Sequence, residues 1–408
     1  MRTFIIGFLV SFVFQFPVRG NVTFRRVRAY RVRTILERVE SNLRIDSSTI
    51  DRIKMAAEAT SSGLAPAFVV TVDDSLLKNG RRIKLPEAAI PESSLLGLLQ
   101  WLDILEKGHR LSVLSDEIYY HDKAVVLRGL VELGQSYPQI FVSRIESLCT
   151  EYNSQDMAYV LGKIDREVVN HKLREILLDE EISPQLRERA ALALSYKTDS
   201  ESISALRQAL GPERSSFYDE FGLWVIDIGV EEEYKFTPQA LEEIRTALKK
   251  IPPRHLEEGV RVILKRPPQA PREVFLVNGE RYPEWMEDEF SEVWRAVPAG
   301  SYESFHKIVY VNELEDVARI IFHEVGHGVH SYIVSQEDWR RFKEFHDNST
   351  SLKEDFAYPY GSVNCNEDFA TIYELLLFAP EDILTRADGE SEVLRQKVGL
   401  VRKYLQEP

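Results

Sequence analysis

Apolar residues recur at intervals of three and four through the middle of the chain, which is the spacing of one face of an α-helix. The pattern is clearest between residues 116 and 212, in runs such as "KAVVLRGLVELG" and "QIFVSRIESL". Turn signals that contain Pro138, Pro184 and Lys197–Ser200 separate the runs. We therefore predict a segment of short helices over residues 116–212.

Pairs of these predicted helices recur at roughly thirty-residue intervals, a period that is typical of helical arrays. The stretch "SPQLRERAALALSYKTDSESISALRQAL" resembles a HEAT-type repeat, and the resemblance covers about two units. It implies a small curved stack of helix pairs, whose concave face would present a protein substrate or a protein partner. An ordinary helical bundle stays open as the alternative.

The part of the chain before this segment has a weaker pattern. Helical spacing occurs over Val27–Leu43 and over Ser93–Leu105, and the run "PAFVVTVDDS" between them is typical of a strand. No chemical motif occurs there, so the role of residues 21–115 stays unknown.

After residue 213 extended runs come first and long helical runs follow. "GVRVILKR" and "HKIVYVN" (His306–Asn312) predict strands, and Asn278-Gly279 within "EVFLVNGERYPEW" predicts a hairpin with a type I′ turn. Asn312 is followed three residues later by Glu315, which is the signature of a capping box. We therefore expect a helix to begin at Asn312, and we expect an α+β region over residues 213–408.

The N-terminus has the outline of a secretory signal peptide over residues 1–20. An apolar run from Phe4 to Phe16 follows Arg2 and ends at Pro17, and it is short for a membrane span. We therefore expect export to the periplasm or the cell exterior, with no stable membrane span after cleavage. Several arginines follow the run, and positive charge normally stays on the cytoplasmic side. An uncleaved anchor of reversed orientation is therefore the open alternative.

Composition narrows the classes of function. The chain has 408 residues, which suggests more than one domain, and its net charge is −14. Because nucleic-acid binding without sequence preference depends on positive charge, we expect no nucleic-acid partner. The only cysteines are Cys149 and Cys365, so the chain has no disulfide framework and no Cys-x-x-Cys metal site.

The stretch "IIFHEVGHGVHSYI" contains the strongest chemical signal. His323 and His327 are four residues apart and therefore share one face of a helix, where two imidazole nitrogens can meet one metal ion. Glu324 lies one residue round from His323, beside the metal, where a carboxylate can take a proton from water. Gly326 and Gly328 weaken the helix, which suggests close packing against another backbone. The pattern is the His-Glu-x-x-His motif of zinc peptidases.

A catalytic zinc ion needs a third protein ligand and one open position. His330 is nearby, but the metzincin pattern requires glycine at its position and histidine at that of Ile333. We therefore interpret His330 as a residue near the metal or on the surface, not as a ligand. A better candidate is Glu367, in the first turn of a helix predicted over Asn366–Phe378.

The spacing of Tyr360, Asn364, Glu367 and Phe369-Ala370 resembles that of the gluzincin peptidases, and most closely the family of anthrax lethal factor-like catalytic domains. The matching motifs span about residues 306–378. The resemblance implies that Glu367 is the third zinc ligand and that Tyr360 donates a hydrogen bond to the oxyanion, although Tyr358 stays an alternative donor. It also implies that the strand in "HKIVYVN" pairs with an extended substrate at a sheet edge.

Two positions depart from the patterns of related peptidases. Asp368 stands beside Glu367, so it stays open as a competing ligand. The thermolysin-like pattern places an aspartate four residues after the glutamate, where this chain has Thr371. Cys365 lies close to the predicted metal, and we interpret it as a free structural thiol.

The sequence therefore predicts a mainly α protein with a HEAT-like helical array in the middle and an α+β, zincin-like metallopeptidase domain at the C-terminus. One Zn²⁺ per chain would be held by His323, His327 and Glu367, with Glu324 as general base in the hydrolysis of a peptide or protein substrate. The alternative is a catalytically silent, zinc-containing helical-repeat scaffold protein. A zinc hydrolase with a non-peptide substrate is a third hypothesis. The predicted divisions are residues 1–20, 21–115, 116–212 and 213–408.

Overall fold

The computed structural model of the chain describes residues 91–110, 116–268, 299–351, 354–389 and 391–406. Four predictions lie outside the described residues. They are the signal peptide at 1–20, the helix at 27–43, the strand in "PAFVVTVDDS" and the hairpin in "EVFLVNGERYPEW".

The chain divides into two compact units between Lys172 and Leu173. The described part of the first unit is helical, because each amphipathic run buries one apolar face; in α1, Leu98, Leu99 and Leu102 are almost fully buried. Its helices are α1 (Pro91–Arg110), α2 (Asp116–Ser136), α3 (Pro138–Glu151), α4 (Ser154–Lys163) and the start of α5 (Glu167–Leu178).

The second unit begins with the rest of α5, followed by α6 (Pro184–Leu194) and α7 (Ser200–Phe221). Ser183 and Asp199 cap these two helices with their side chains, as expected for polar residues in the turns. Helix α7 breaks at Gly211, whose φ of 74° is non-helical and which precedes Pro212. The prediction of short helices over residues 116–212 is thus confirmed, whereas their HEAT-like stacking stays a prediction.

A four-stranded mixed sheet follows, with the strand order β1-β2-β4-β3. Strands β1 (Trp224–Ile226), β2 (Val262–Lys265) and β4 (Ile308–Val311) are parallel and fully buried, as continuous apolar runs in parallel sheets usually are. Strand β3 (Gly300–Glu303) is antiparallel to β4 and is only partly buried. Among the described residues, β3 is therefore the accessible edge beside β4.

The predicted strands in "GVRVILKR" and "HKIVYVN" are confirmed as β2 and β4. However, β4 lies between β2 and β3, so the expectation that this strand forms the substrate-binding edge is wrong. Strand order depends on contacts between distant segments, and a run of apolar letters does not reveal it.

Seven helices of the second unit flank the sheet or follow it. Helix α10 packs against β3, β4, α8, α9 and α12. Their bounds are α8 (Pro238–Lys250), α9 (Pro253–Gly259), α10 (Val317–Tyr332), α11 (Gln336–Asp347), α12 (Cys365–Phe378), α13 (Pro380–Gly389) and α14 (Glu392–Gln406), and two short 3₁₀ helices cover Glu232–Tyr234 and Pro359–Val363.

The predicted capping box at Asn312 is wrong. Helix α10 begins at Val317, after Asp316, which has a φ of 52° and makes no side-chain cap. Asn312 instead extends the end of β4: its backbone N–H donates to Ala299 O at 2.8 Å, and its carbonyl accepts from Lys265 Nζ at 2.7 Å. Sheet pairing and burial therefore outweigh the local capping signal.

The described residues are mainly helical with this small mixed sheet, so the predicted fold class is confirmed at that level. In the described parts of the chain, no helix is both long and apolar enough to cross a membrane.

Candidate metal centre

Helices α10 and α12 approach each other closely at Gly326. A Cβ added to this glycine would lie 3.0 Å from Ala370 Cα and 3.2 Å from Tyr373 Cβ. Gly328 faces α9, where an added Cβ would be 3.2 Å from Gly259 O. The prediction that these two glycines permit close packing against a neighbouring backbone is confirmed. The absent side chain of Gly326 lets α10 and α12 bring polar side chains together at one point.

Three of the predicted site residues converge between these helices. His323 Nε2 lies 3.0 Å from Glu367 Oε2, and His327 Nε2 lies 3.4 Å from the same oxygen. One ligand atom from each residue lies within 4.8 Å of those of the other two. Two imidazole nitrogens and one carboxylate oxygen form the donor set of a catalytic zinc site, so the residues present fit this metal.

The start of α12 places Glu367 in this cluster. The side chain of Asn364 caps the helix by accepting from the backbone N–H groups of Asn366 at 2.9 Å and of Glu367 at 3.1 Å. Glu367 therefore lies in the first turn, where the helix dipole favours a carboxylate. The predicted helix over Asn366–Phe378 is confirmed to within one residue.

Behind His323 lies a second carboxylate, which the sequence did not reveal. His323 Nδ1 is 3.2 Å from Glu374 Oε2, and Arg319 donates from Nε to Glu374 Oε1 at 2.8 Å. The Glu374 side chain is only 9% exposed. The only signal in the sequence is spacing, because Arg319 precedes His323 by four residues and Glu374 follows Glu367 by seven.

The electrostatics favour positive charge at this point. Burial opposes protonation of His323, but hydrogen bonds to Glu367 and Glu374 outweigh burial and raise its pKa to about 10. Burial would raise the pKa of Glu367, yet the two histidines hold that pKa well below its usual range. Carboxylates that stabilise a cation among them provide the environment that a divalent metal ion requires.

Glu324 lies beside the cluster and is 6% exposed. A Cβ added to Gly300 of β3 would be 2.8 Å from Glu324 Oε1 and 2.5 Å from Ile320 Cγ2, so only a glycine lets β3 pass over this carboxylate. Burial raises the pKa of Glu324, which suits a group that takes up a proton. Nothing in the sequence indicated that Gly300 lies against Glu324.

The rings of the two candidate tyrosines contact different residues of α10. The ring of Tyr360 is 5.9 Å from the ring of His323, centroid to centroid, and it lies in the short 3₁₀ helix before α12. The ring of Tyr358 lies 5.9 Å from the guanidinium carbon of Arg319. Tyr360 therefore has a ring contact with a residue of the cluster.

Asp368 is not part of this cluster, because its carboxylate contacts Lys397 and His346 instead. It is fully buried, and its Oδ2 forms an ion pair with Lys397 Nζ at 2.7 Å and lies 3.0 Å from His346 Nδ1. Among the described residues, the cluster that could hold a metal ion contains Glu367 and not Asp368.

His330 is not part of the ligand cluster either. Its ring stacks on Trp339 at 4.8 Å, and burial lowers its pKa to about 3, so it remains neutral at physiological pH. Cys365 and Cys149 are free thiols, and burial raises the pKa of Cys365, which makes it a poorer nucleophile.

Fold and site together describe a mainly helical protein in which two histidines and one glutamate form a cluster that could hold a metal ion. Comparisons of the chain with protein-family models, with curated proteins and with solved structures found no match.

Proposed function

We propose that the protein is a zinc-dependent endopeptidase, and that its C-terminal half is a zincin-like domain of gluzincin type. The observation that carries this proposal is the convergence of His323 Nε2, His327 Nε2 and Glu367 Oε2, with the carboxylate of Glu324 buried beside them. A site that served structure alone would have no use for a buried carboxylate next to the ligands.

His323, His327 and Glu367 would hold one zinc ion per chain. When bound there, zinc acts as a Lewis acid and lowers the pKa of water towards about 7, so that a nucleophile is available at neutral pH. The three side chains come from two helices that pack closely at Gly326. The protein therefore supplies the ligands in a fixed arrangement.

Glu324 is the proposed proton carrier. Its carboxylate takes a proton from the attacking water and then gives it to the amine that leaves when the peptide bond breaks. Its position against Gly300 excludes solvent from one side. The hydroxyl of Tyr360 would donate a hydrogen bond to the oxygen of the attacked carbonyl as that oxygen becomes negative.

The edge of β3 is the proposed binding surface for an extended substrate. Among the described residues, β3 is the terminal strand on this side of the sheet, and its Gly300 lies against Glu324. A peptide that pairs with this edge as an additional strand would pass beside the proton carrier. The helical segment would present a protein substrate or partner, and export through the N-terminal signal remains part of this proposal.

The decisive experiment compares Glu324→Gln with the wild-type chain. We expect the variant to bind about one zinc ion per chain, as the wild type does, and to lose peptide hydrolysis. A His323→Ala/His327→Ala double variant should lose the zinc, which tests the site itself. Unchanged function in Glu324→Gln would refute the peptidase and would support the scaffold hypothesis, and a substrate screen separates peptides from other hydrolysable compounds.

A further inference from the structure

His323 is contacted by carboxylates on both ring nitrogens. Nε2 faces Glu367 Oε2 at 3.0 Å, and Nδ1 faces Glu374 Oε2 at 3.2 Å. Both carboxylates come from α12, seven residues apart, and therefore project from the same face of that helix. The ring of His323 thus lies between two carboxylates that are two turns apart on the facing helix.

An ionised carboxylate only accepts hydrogen bonds, so Nδ1 of His323 must donate to Glu374. When a metal ion takes the place of the proton on Nε2, the one proton that remains on the ring therefore stays on Nδ1. Nε2, the nitrogen that faces Glu367 and His327, is left with its lone pair for a metal ion. The contact therefore selects both the tautomer and the direction of the ring.

Arg319 fixes the carboxylate of Glu374. Its Nε and Nη2 atoms both donate to Glu374 Oε1, at 2.8 and 2.7 Å. The other oxygen, Oε2, is then directed at His323. The guanidinium also balances the charge of Glu374, so the effect of this carboxylate on a metal site is mainly one of orientation and less one of net charge.

We infer that Glu374, held by Arg319, is a positioning residue that sets the tautomer and orientation of the metal ligand His323. The inference rests on the proposed zinc site. Arg319 and His323 lie one turn apart on α10, so the pair Arg319–Glu374 runs beside the pair His323–Glu367 and joins the same two helices. The thermolysin-like pattern has an aspartate at the position of Thr371. In this chain the carboxylate comes instead from Glu374, about one turn further along α12.

The test is the affinity for Zn²⁺, measured without any peptide substrate by competition with a chromophoric chelator. We expect Glu374→Leu to bind zinc about 10 to 100-fold more weakly than the wild type, because the partner of Nδ1 is lost. Glu374→Gln should lose less, because its amide oxygen still accepts from Nδ1. The Co²⁺ absorption spectrum should change in Glu374→Leu, since the coordination geometry depends on the ring of His323.

Glu220→Gln is the matched control, since Glu220 forms an ion pair with Arg245 outside the metal centre. It should leave the zinc affinity and the Co²⁺ spectrum unchanged.

Arg319→Met provides a second variant in case Glu374→Leu does not fold. It should weaken zinc binding, because Glu374 is no longer fixed. A role limited to stability would lower the unfolding temperature of the metal-free variants and leave zinc affinity within twofold of wild type, which overturns the inference.

The outcomes separate this inference from the proposed function. A wild-type chain that binds no zinc overturns both. If the wild-type chain binds zinc and Glu374→Leu binds it equally tightly, only the positioning role of Glu374 is overturned. Loss of hydrolysis in Glu324→Gln, with zinc retained, supports the peptidase irrespective of Glu374.

Discussion

Gly326 of α10 lies against Ala370 of α12, so that a Cβ on the glycine would be 3.0 Å from the alanine Cα. Backbone atoms cannot yield as the end of a flexible side chain can, so a larger residue must push the two helices apart. The same helices carry His323 and Glu367, whose Nε2 and Oε2 atoms lie 3.0 Å apart. The packing of the two helices and the geometry of the proposed metal site are therefore coupled through one glycine.

We predict that Gly326→Leu lowers both the free energy of unfolding and the affinity for zinc. Overpacking of this kind typically costs about 1–3 kcal/mol, and the displaced ligands would add a loss of metal binding. Urea unfolding and zinc titration measure the two effects.

The control is Gly399→Ala in α14, where an added Cβ meets no atom within 4 Å. That substitution should raise stability by up to about 1 kcal/mol, because alanine favours helix. A Gly326→Leu chain with wild-type stability and zinc affinity would contradict the coupling.

A second prediction concerns the buried ion pair beside the metal centre. Lys397 and Asp368 are both fully buried and are 2.7 Å apart. Removing one partner leaves an uncompensated buried charge, so Lys397→Met should lower the free energy of unfolding by about 3–5 kcal/mol.

Lys403→Met is the matched control, because Lys403 is 53% exposed where it pairs with Asp338. Its effect should stay below about 1 kcal/mol. Equal losses in the two variants, measured by urea unfolding, would show that burial of the pair has no energetic consequence.

The sequence predicts contacts within one helix better than contacts between helices. His323 and His327 share a face because of their local spacing, and that spacing alone places both nitrogens near one point. Glu367 was identified only through the resemblance of its surroundings to the gluzincin motif. Glu374 was missed because its contact with His323 joins residues 51 positions apart on different helices. Neither residue type nor periodicity identifies such a contact before the packing of α10 on α12 is known.

The same limit explains the two wrong predictions about the sheet. Asn312 and Glu315 have the letters of a capping box, but the backbone of Asn312 bonds to Ala299 just beyond the paired ends of β4 and β3, and the helix begins later. Strand β4 was predicted correctly as a strand and wrongly as an edge, since β3 lies on its far side. Local patterns identify helices and strands. Which elements pack or pair with one another depends on contacts between distant parts of the chain.

A third prediction tests the oxyanion donor. If Tyr360 donates to the developing oxyanion, Tyr360→Phe should lower kcat by about one to three powers of ten and leave zinc content unchanged. Tyr358→Phe is the comparison variant, because the ring of Tyr358 lies 5.9 Å from the guanidinium carbon of Arg319. Steady-state kinetics on a peptide substrate measure both. A larger loss in Tyr358→Phe than in Tyr360→Phe would reverse the assignment.

The last prediction concerns pH and a histidine outside the metal centre. His255 is 2% exposed, its Nδ1 lies 2.8 Å from the hydroxyl of Tyr373, and burial lowers its pKa from 6.5 to about 4. Between these two values the unfolded chain binds a proton at His255 that the folded chain does not bind. The free energy of unfolding must therefore fall as the pH falls through this window, with a slope from this residue of up to about 1.4 kcal/mol per pH unit.

Urea unfolding at several pH values between about 7 and 4 measures that slope. In His255→Gln the dependence on pH should be weaker than in the wild type, whatever the absolute stability of the variant, because the titrating group is gone. His121→Gln is the matched control, since the side chain of His121 is 62% exposed, and its slope should equal that of the wild type. An unchanged slope in His255→Gln would mean that His255 is protonated to the same extent in both states, which is incompatible with a neutral, buried imidazole.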